Sequence, residues 1–222
     1  VIYYNKRLVN FERMRNRDLD APGPDATSWS FDQFAAAAEF ASRPAKGTKG
    51  VYIEPTIAGL TPFINSGGGT VFDEAENPTS LTFSSDGTKG ALERTLQLLR
   101  NPQVTPDEAE LARAPALRRF VRGKLGMIAG DRSLTPLLRK FPKLDFDIMS
   151  MPRLDSAATV GDVTALCMSA TTAEPGAAAD FMVHEISPES VSEVARTGYL
   201  QPANVEVALS DDFLQPDLRP EH

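Results

Sequence analysis

The chain has 222 residues, of which 41% are apolar and 24% are charged. This balance is typical of a folded globular protein with one large domain or two modest ones. The formal net charge is −7, from 23 Lys and Arg against 30 Asp and Glu. Since no cluster of five or six basic residues occurs, nucleic acid and anionic membrane are poor partners.

The first predicted elements alternate between strand and helix. A β-prone run at residues 1–4 precedes a helix that extends to about residue 17 and a loop rich in Pro, Gly, Asp and Ser over residues 18–28. Ser30 and Gln33 have the spacing of a reciprocal cap, which predicts a helix over residues 30–42. A buried strand is predicted at 50–53, and a short helix at 58–65 that ends in three glycines, residues 67–69.

The middle of the chain is predicted to be mainly helical after two short strands at residues 71–73 and 81–83. Leu92, Leu96 and Leu99 define the apolar stripe of a helix over residues 90–99. A capping box that starts at Thr105 predicts the next helix. The basic residues between 113 and 124 indicate a solvated helix face.

Strands are predicted at residues 125–129, 144–148 and 163–169, with helices at 134–140, 175–185 and from 187 to about 198. The third strand contains Cys167, the single cysteine, which we expect to be buried. A lone cysteine builds neither a disulfide framework nor a zinc site, and no phosphate-binding glycine loop is present, so we expect no metal and no cofactor. Interleaved strands and helices without an internal repeat predict α/β layers.

The order of several motifs resembles bacterial extracellular solute-binding proteins. The motifs are IYYNK at residues 2–6, SWSFDQF at 28–34, NSGGG at 65–69, FSSDG at 83–87, GKLGMIAG at 123–130, PKLDF at 142–146 and GYLQPA at 198–203. Each is weak alone, but together they cover nearly the whole chain in the family's order.

The resemblance implies a periplasmic-binding-protein-like (type II) fold, in which two α/β lobes close on a solute by a hinge motion. It assigns residues 1–153 to the C-terminal lobe, residues 157–203 to a return segment of the N-terminal lobe, and residues 204–222 to a tail. Because the chain starts with Val and has no secretory or membrane-spanning run, we expect a processed or truncated piece. The resemblance implies that most of the N-terminal lobe is missing from it.

The function implied by the resemblance is solute binding for an ABC importer. The expected partners are a sugar or sugar-like molecule of the maltodextrin or glycerol-phosphate type and a membrane permease. A monomer outside the cytoplasm is expected, in the periplasm or anchored by lipid at the outer face of the cell membrane.

Two candidate ligand-binding positions in the first third of the chain come from the same resemblance. Glu54 matches a ligand-binding glutamate of maltodextrin-type members, although an exposed loop carboxylate is an equal alternative. Asn65 and Gly68 match a turn at which the backbone approaches the cleft. For the glycines, a helix C-cap is the stronger interpretation.

Two further candidates lie later in the chain. Arg132 stands where many members carry a stacking aromatic residue, which suggests recognition of hydroxyl or carboxylate groups by its donors; a solvated surface arginine is the alternative. Asp162 matches a turn that faces the cleft, or serves only as a turn residue. Trp29 is expected in the core, and Tyr4 and Asn5 near the hinge.

A glycosidase-like enzyme is the first rival function, because such enzymes use paired carboxylates in a cleft. His184 is predicted on a helix and His222 lies at the tail, so no nucleophile and base pair is suggested and we predict no catalytic residues. A non-transport interaction or sensing module is the second rival.

Overall fold

A computed structural model describes residues 1–221. It has the mixed α/β composition predicted from the sequence and divides into two compact units. Unit 1 comprises Val1–Gly130 and Phe141–Val160, and unit 2 comprises Asp131–Lys140 and Gly161–Glu221. Among residues 1–221, no helix combines the length and the apolar character needed to cross a membrane.

Unit 1 is built on a four-stranded sheet in the order β2-β3-β1-β4. The strands are β1 (Ile2–Asn5), β2 (Lys49–Tyr52), β3 (Leu125–Ala129) and β4 (Phe146–Met149). β1 is antiparallel to both β3 and β4, whereas β2 and β3 are parallel. β2, β3 and β4 therefore end at the same edge of the sheet, and β1 begins there.

Six α-helices accompany this sheet in unit 1. They are α1 (Phe11–Arg15), α2 (Phe31–Ala41), α3 (Ile57–Ser66), α4 (Asp86–Leu99), α5 (Glu108–Arg113) and α6 (Ala116–Val121), with a 3₁₀ turn at Pro44–Lys46. The capping box predicted for α2 is confirmed, because Ser30 and Gln33 each bond the other's backbone N–H at 3.1 Å.

The core of unit 1 lies where α2 packs on β2 and β3. α2 and β2 lie so close together that a Cβ on Gly50 would be 2.0 Å from the carbonyl oxygen of Ala38. Trp29, just before α2, is 1% exposed, as predicted, and packs edge-on against Phe34 at a centroid distance of 5.4 Å. Small residues at the helix crossing and large rings at the helix start thus fix α2 on the sheet.

Unit 2 contains five helices among its described residues. They are α7 (Leu134–Arg139), α8 (Pro175–Glu185), α9 (Pro188–Arg196), α10 (Val205–Ala208) and α11 (Asp211–Leu214). A small cluster of Ala195, Val207 and Phe213 is buried, and Arg196 bonds both carboxylate oxygens of Asp212 at 2.9 and 3.0 Å. α8 has no buried residue.

The predicted strand at residues 163–169 is wrong, because the segment has no regular structure. Val163 is 93% exposed, and Cys167, expected to be buried, is exposed. A β-prone sequence forms a strand only when a neighbouring strand satisfies its backbone hydrogen bonds. The segment makes no strand pairing within the described part of the chain.

Four other local predictions are also corrected. The short strands at 71–73 and 81–83 reduce to a single bridge between Phe72 and Leu81. The capping box starts at Asp107 rather than at Thr105. The leucine stripe of α4 is only half-buried, since the row facing the core is Thr88, Ala91, Thr95 and Leu98, and two short helices, α10 and α11, follow the helix predicted to be last.

Candidate functional site

The edge at which three strands of unit 1 end brings together residues that are far apart in sequence. Ile2 pairs with Ala129 on one side and with Met149 on the other, so Val1 lies beside Gly130 and Ser150. The amide of Gly130 donates to the Val1 carbonyl at 3.0 Å. Continuing the β2–β3 register past Tyr52 and Ile128 aligns Glu54 with Gly130.

We call this row of Glu54, Gly130, Val1 and Ser150 the carboxyl edge. Its ends lie three strand spacings apart, which is about 14 Å. Ligands of open α/β sheets commonly bind outside the carboxyl ends of strands. The carboxyl edge is therefore the natural place to look for a binding site in unit 1.

Glu54 is exposed and follows the buried Ile53 at the end of β2. Two residues earlier, Tyr52 is half-buried, and alternation along an extended strand directs residues 52 and 54 to the same side. Burial raises the pKa of the Tyr52 phenol, and the nearby Glu54 carboxylate raises it further. The pair thus offers a carboxylate acceptor beside an aromatic ring.

A pocket of about 380 Å³ lies at the other end of the carboxyl edge. Its lining residues come from three segments of unit 1: Val1, Ser28, Ser150, Met151, Arg153, Ala157, Ala158 and Thr159. The lining joins small apolar side chains to three hydroxyl groups and one guanidinium. This mixture suits a small ligand with both apolar surface and hydrogen-bonding groups.

Trp29 positions one wall of this pocket. Its indole N–H donates to the carbonyl of Ser150 at 2.9 Å, and its own carbonyl accepts the amide of Arg153 at 3.1 Å. The carbonyl of Arg153 in turn accepts the amide of Phe31 at 2.8 Å. The backbone of residues 150–153 is therefore fixed to the start of α2.

Ser66 fixes the chain just beyond this wall. It is fully buried at the end of α3, and its hydroxyl accepts the amide of Leu154 at 2.9 Å and donates to the carbonyl of Ser156. Its carbonyl accepts the amides of Asp155 and Ser156, both at 3.0 Å. α3 thus runs from Glu54 at one end to the segment that lines the pocket at the other.

Asn65 and Gly68 lie at this second end of α3, and both are exposed. Gly68 has a φ of 77°, a left-handed conformation that favours glycine in a turn. Its amide donates to the carbonyl of Asn65 at 3.2 Å. These contacts suit the helix-capping alternative for Gly68, and a ligand contact from either residue stays a prediction.

Arg132 and Asp162 belong to unit 2. The guanidinium of Arg132 donates to the carbonyls of Gly198 at 3.2 Å and Phe213 at 3.0 Å, and lies over the Phe213 ring at 4.4 Å. These contacts favour a packing role inside unit 2. Asp162 is exposed in a segment without regular structure, and solute binding by either residue stays a prediction.

Four residues at or near the carboxyl edge were not predicted as site residues from the sequence: Tyr52, Ser66, Ser150 and Arg153. Tyr52 was detectable, because the two-residue period of a strand places it on the side of Glu54. Arg153 was also detectable, because it follows closely after the strand predicted at residues 144–148. Ser66 gave no sequence signal, since its bonding partners lie 88 and 90 residues away.

No group of three or more His, Cys, Asp or Glu side chains in residues 1–221 is arranged to hold a metal ion. The arrangement offers hydrogen-bond acceptors, donors and an aromatic face, which are the elements of a binding site.

Three solved structures illustrate the likeness of the whole fold to known proteins. An ABC substrate-binding protein from Listeria monocytogenes, solved with cycloalternan, has a TM-score of 0.74 at 18% identity over 97% of this chain and 53% of its own. A cyclic α-maltosyl-1,6-maltose binding protein from Arthrobacter globiformis has a TM-score of 0.68 at 18% identity, with 96% and 53% covered.

The third is a maltose-bound T. maritima protein with a TM-score of 0.65 at 16% identity, covering 99% of this chain and 55% of its own. The chain therefore spans about half the length of these relatives. A search of curated proteins gave no match. The family model described as bacterial extracellular solute-binding protein matches residues 1–220. The chain thus belongs to the bacterial extracellular solute-binding proteins, a family that acts outside the cytoplasm.

Proposed function

We propose that this chain forms part of the solute-binding component of an ABC importer, which encloses a sugar or sugar-like solute between two lobes and delivers it to a membrane permease. The observation that carries the proposal is the strand register that aligns Glu54 with Gly130, Val1 and Ser150 along the carboxyl edge. The family assignment and the sugars named for the three solved relatives support it.

The chemistry of the carboxyl edge fits a polyhydroxylated ligand. Glu54 supplies a carboxylate that accepts paired hydroxyl groups, and Arg153 supplies a fork of donors. Ser28 and Ser150 add hydroxyls that donate and accept. Tyr52 supplies an aromatic face for the apolar side of a sugar ring.

Unit 1 corresponds in this proposal to the bulk of the C-terminal lobe, and residues 157–203 to a return segment of the other lobe. Support comes from the exposed apolar residues of α8, with Phe181 58% and Val183 66% exposed. A stable fold covers such a face. Because the chain spans about half the length of its solved relatives, a part of the full-length protein outside residues 1–222 is the proposed cover.

Binding without catalysis is the activity proposed for this site. A glycosidase needs two carboxylic groups about 5–9.5 Å apart around the scissile bond. Glu54 is the one carboxylate of the described carboxyl edge and pocket lining. Long incubation with oligosaccharides and analysis of the products tests this directly, and released sugar would contradict it.

The experiment that tests the proposed function is a solute screen by calorimetry and thermal unfolding on the full-length protein. A ligand that binds the folded state raises its thermal stability, by about 2.7 kcal/mol at a hundred times the Kd. Glu54→Ala should weaken binding at least tenfold with an unchanged fold. Arg132→Ala tests the sequence-based prediction that Arg132 also contacts the solute. No response to any sugar would contradict the proposed function.

A further inference from the structure

Arg153 is an exposed cation in the pocket wall with no partner of its own. Within residues 1–221 its side chain makes neither an ion pair nor a hydrogen bond. The nearest acidic residue in sequence, Asp155, is bound to Arg94 at 2.9 Å. The pocket lining contains no carboxylate, so nothing in the wall neutralises this charge.

The backbone of Arg153 is held more firmly than that of an ordinary surface arginine. Its amide and carbonyl pair with Trp29 and Phe31, which places it in an isolated parallel bridge beside Ser30. The following residues are bonded to the buried Ser66. Because the backbone on both sides of Arg153 is fixed, less conformational entropy is lost when its side chain binds a ligand.

The hydroxyls around Arg153 extend the same donor surface. Ser28 and Ser150 are exposed in the pocket lining, and no hydrogen bond of either hydroxyl occurs in the described part of the chain. A guanidinium with neighbouring hydroxyls matches the geometry and charge of a carboxylate or phosphate, which accepts two parallel N–H bonds.

We infer that the pocket takes the anionic group of the solute, so that the ligand class is a sugar derivative carrying a carboxylate or a phosphate, with Arg153 as the residue that sets this specificity. The inference rests on the proposed function, because it assumes that the carboxyl edge holds the solute. Glu54, about 14 Å away across three strand spacings, then binds the hydroxyl groups at the neutral end.

The test is calorimetry of the full-length protein with matched pairs of probes: galactose and galacturonate, glucose and glucuronate, and glucose and glucose 6-phosphate. In at least one pair the anionic member should bind about tenfold to a hundredfold more tightly, which is the range for a hydrogen bond to a charged group. Arg153→Gln should abolish this preference, because it should lower the affinity for the anionic member far more than the affinity for the neutral member.

Arg43→Gln is the matched control, since Arg43 is another exposed arginine of unit 1 outside the pocket, and it should leave both affinities unchanged. Tighter binding of the neutral member in every pair, with no effect of Arg153→Gln, would overturn the inference and leave the proposed function intact. Binding of none of the probes, together with no response in the wider solute screen, would overturn both.

Discussion

The two units of the chain differ most in how they cover their apolar side chains. Unit 1 buries Trp29, Phe34, Phe63 and Met127 to 1% exposure or less in one core. Unit 2 has a small cluster around Phe213, while the apolar residues of α8 and of the segment before it stay exposed. Burial of apolar surface is the main favourable term in folding. Unit 1 therefore gains more folding free energy from its own core than unit 2 does.

The comparison shows that a segment can form regular secondary structure without burying its apolar side chains in a core. α8 has a regular helical sequence with Pro at its first position, yet no residue of it is buried and its Phe181 and Val183 side chains are exposed. A helix of 11 residues draws most of its stability from packing an apolar face. We therefore expect unit 2 to need a partner surface for its stability more than unit 1 does.

The largest expected effect is in the core of unit 1. Trp29→Ala removes a buried ring and the bond to the Ser150 carbonyl, and should lower the free energy of unfolding by about 3–5 kcal/mol. Urea unfolding of the full-length protein measures this cost. A loss below about 1 kcal/mol would mean that Trp29 does not anchor the core.

Phe181→Ala in α8 tests the other side of the comparison. If a further part of the full-length protein covers α8, this change should cost at least about 2 kcal/mol, since a buried ring is lost. Thermal or urea unfolding of the full-length protein measures it. A change within about 0.5 kcal/mol, as is usual for a surface position, would show that α8 remains exposed.

A pair of glycine substitutions sharpens the contrast in packing density. Gly50→Ala in β2 should cost about 1–3 kcal/mol, because the added Cβ meets the Ala38 backbone. Gly176→Ala in α8 meets nothing within 4 Å and should leave stability unchanged or raise it by up to about 1 kcal/mol. Equal losses of stability at the two positions would contradict the proposed difference in packing between the units.

The smallest expected effect concerns one exposed carboxylate in each unit. Hydrogen bonds from Thr79 and Ser80 lower the pKa of Asp73, and a hydrogen bond and charge from Arg196 lower the pKa of Asp212. A lowered folded-state pKa adds stability that is present above the unfolded value, about 3.9, and is lost as the pH falls through the folded value. Carbon NMR titration should find both midpoints below the ordinary aspartate value of about 3.9, and ordinary midpoints would contradict this.

Local sequence patterns predicted most of the secondary structure. The capping pair of Ser30 and Gln33 and the apolar run of β3 depend on neighbouring residues alone, and both are confirmed. The strand at residues 163–169 was mispredicted because a strand also needs a partner, which no local pattern reveals. The exposed Cys167 follows from the same missing partner.

The candidate site was predictable only in part, for a related physical reason. Glu54 was identified because it matches a ligand-binding glutamate of maltodextrin-type members of the family, and the structure adds Tyr52 from the strand before it. Arg153 and Ser66 matter through contacts between segments that are distant in sequence. The fold, which spacing along the chain does not reveal, brings the segments around Arg153 and Ser66 to the carboxyl edge. Spacing alone therefore could not identify these two residues.

Hydrogen–deuterium exchange of the full-length protein with and without a bound solute tests the central claim most directly. The account predicts slower exchange on binding at residues 52–56 and 150–159, which bracket the carboxyl edge and the pocket, with no change at α6. Protection confined to segments away from both of these ranges would contradict the placement of the solute at this edge.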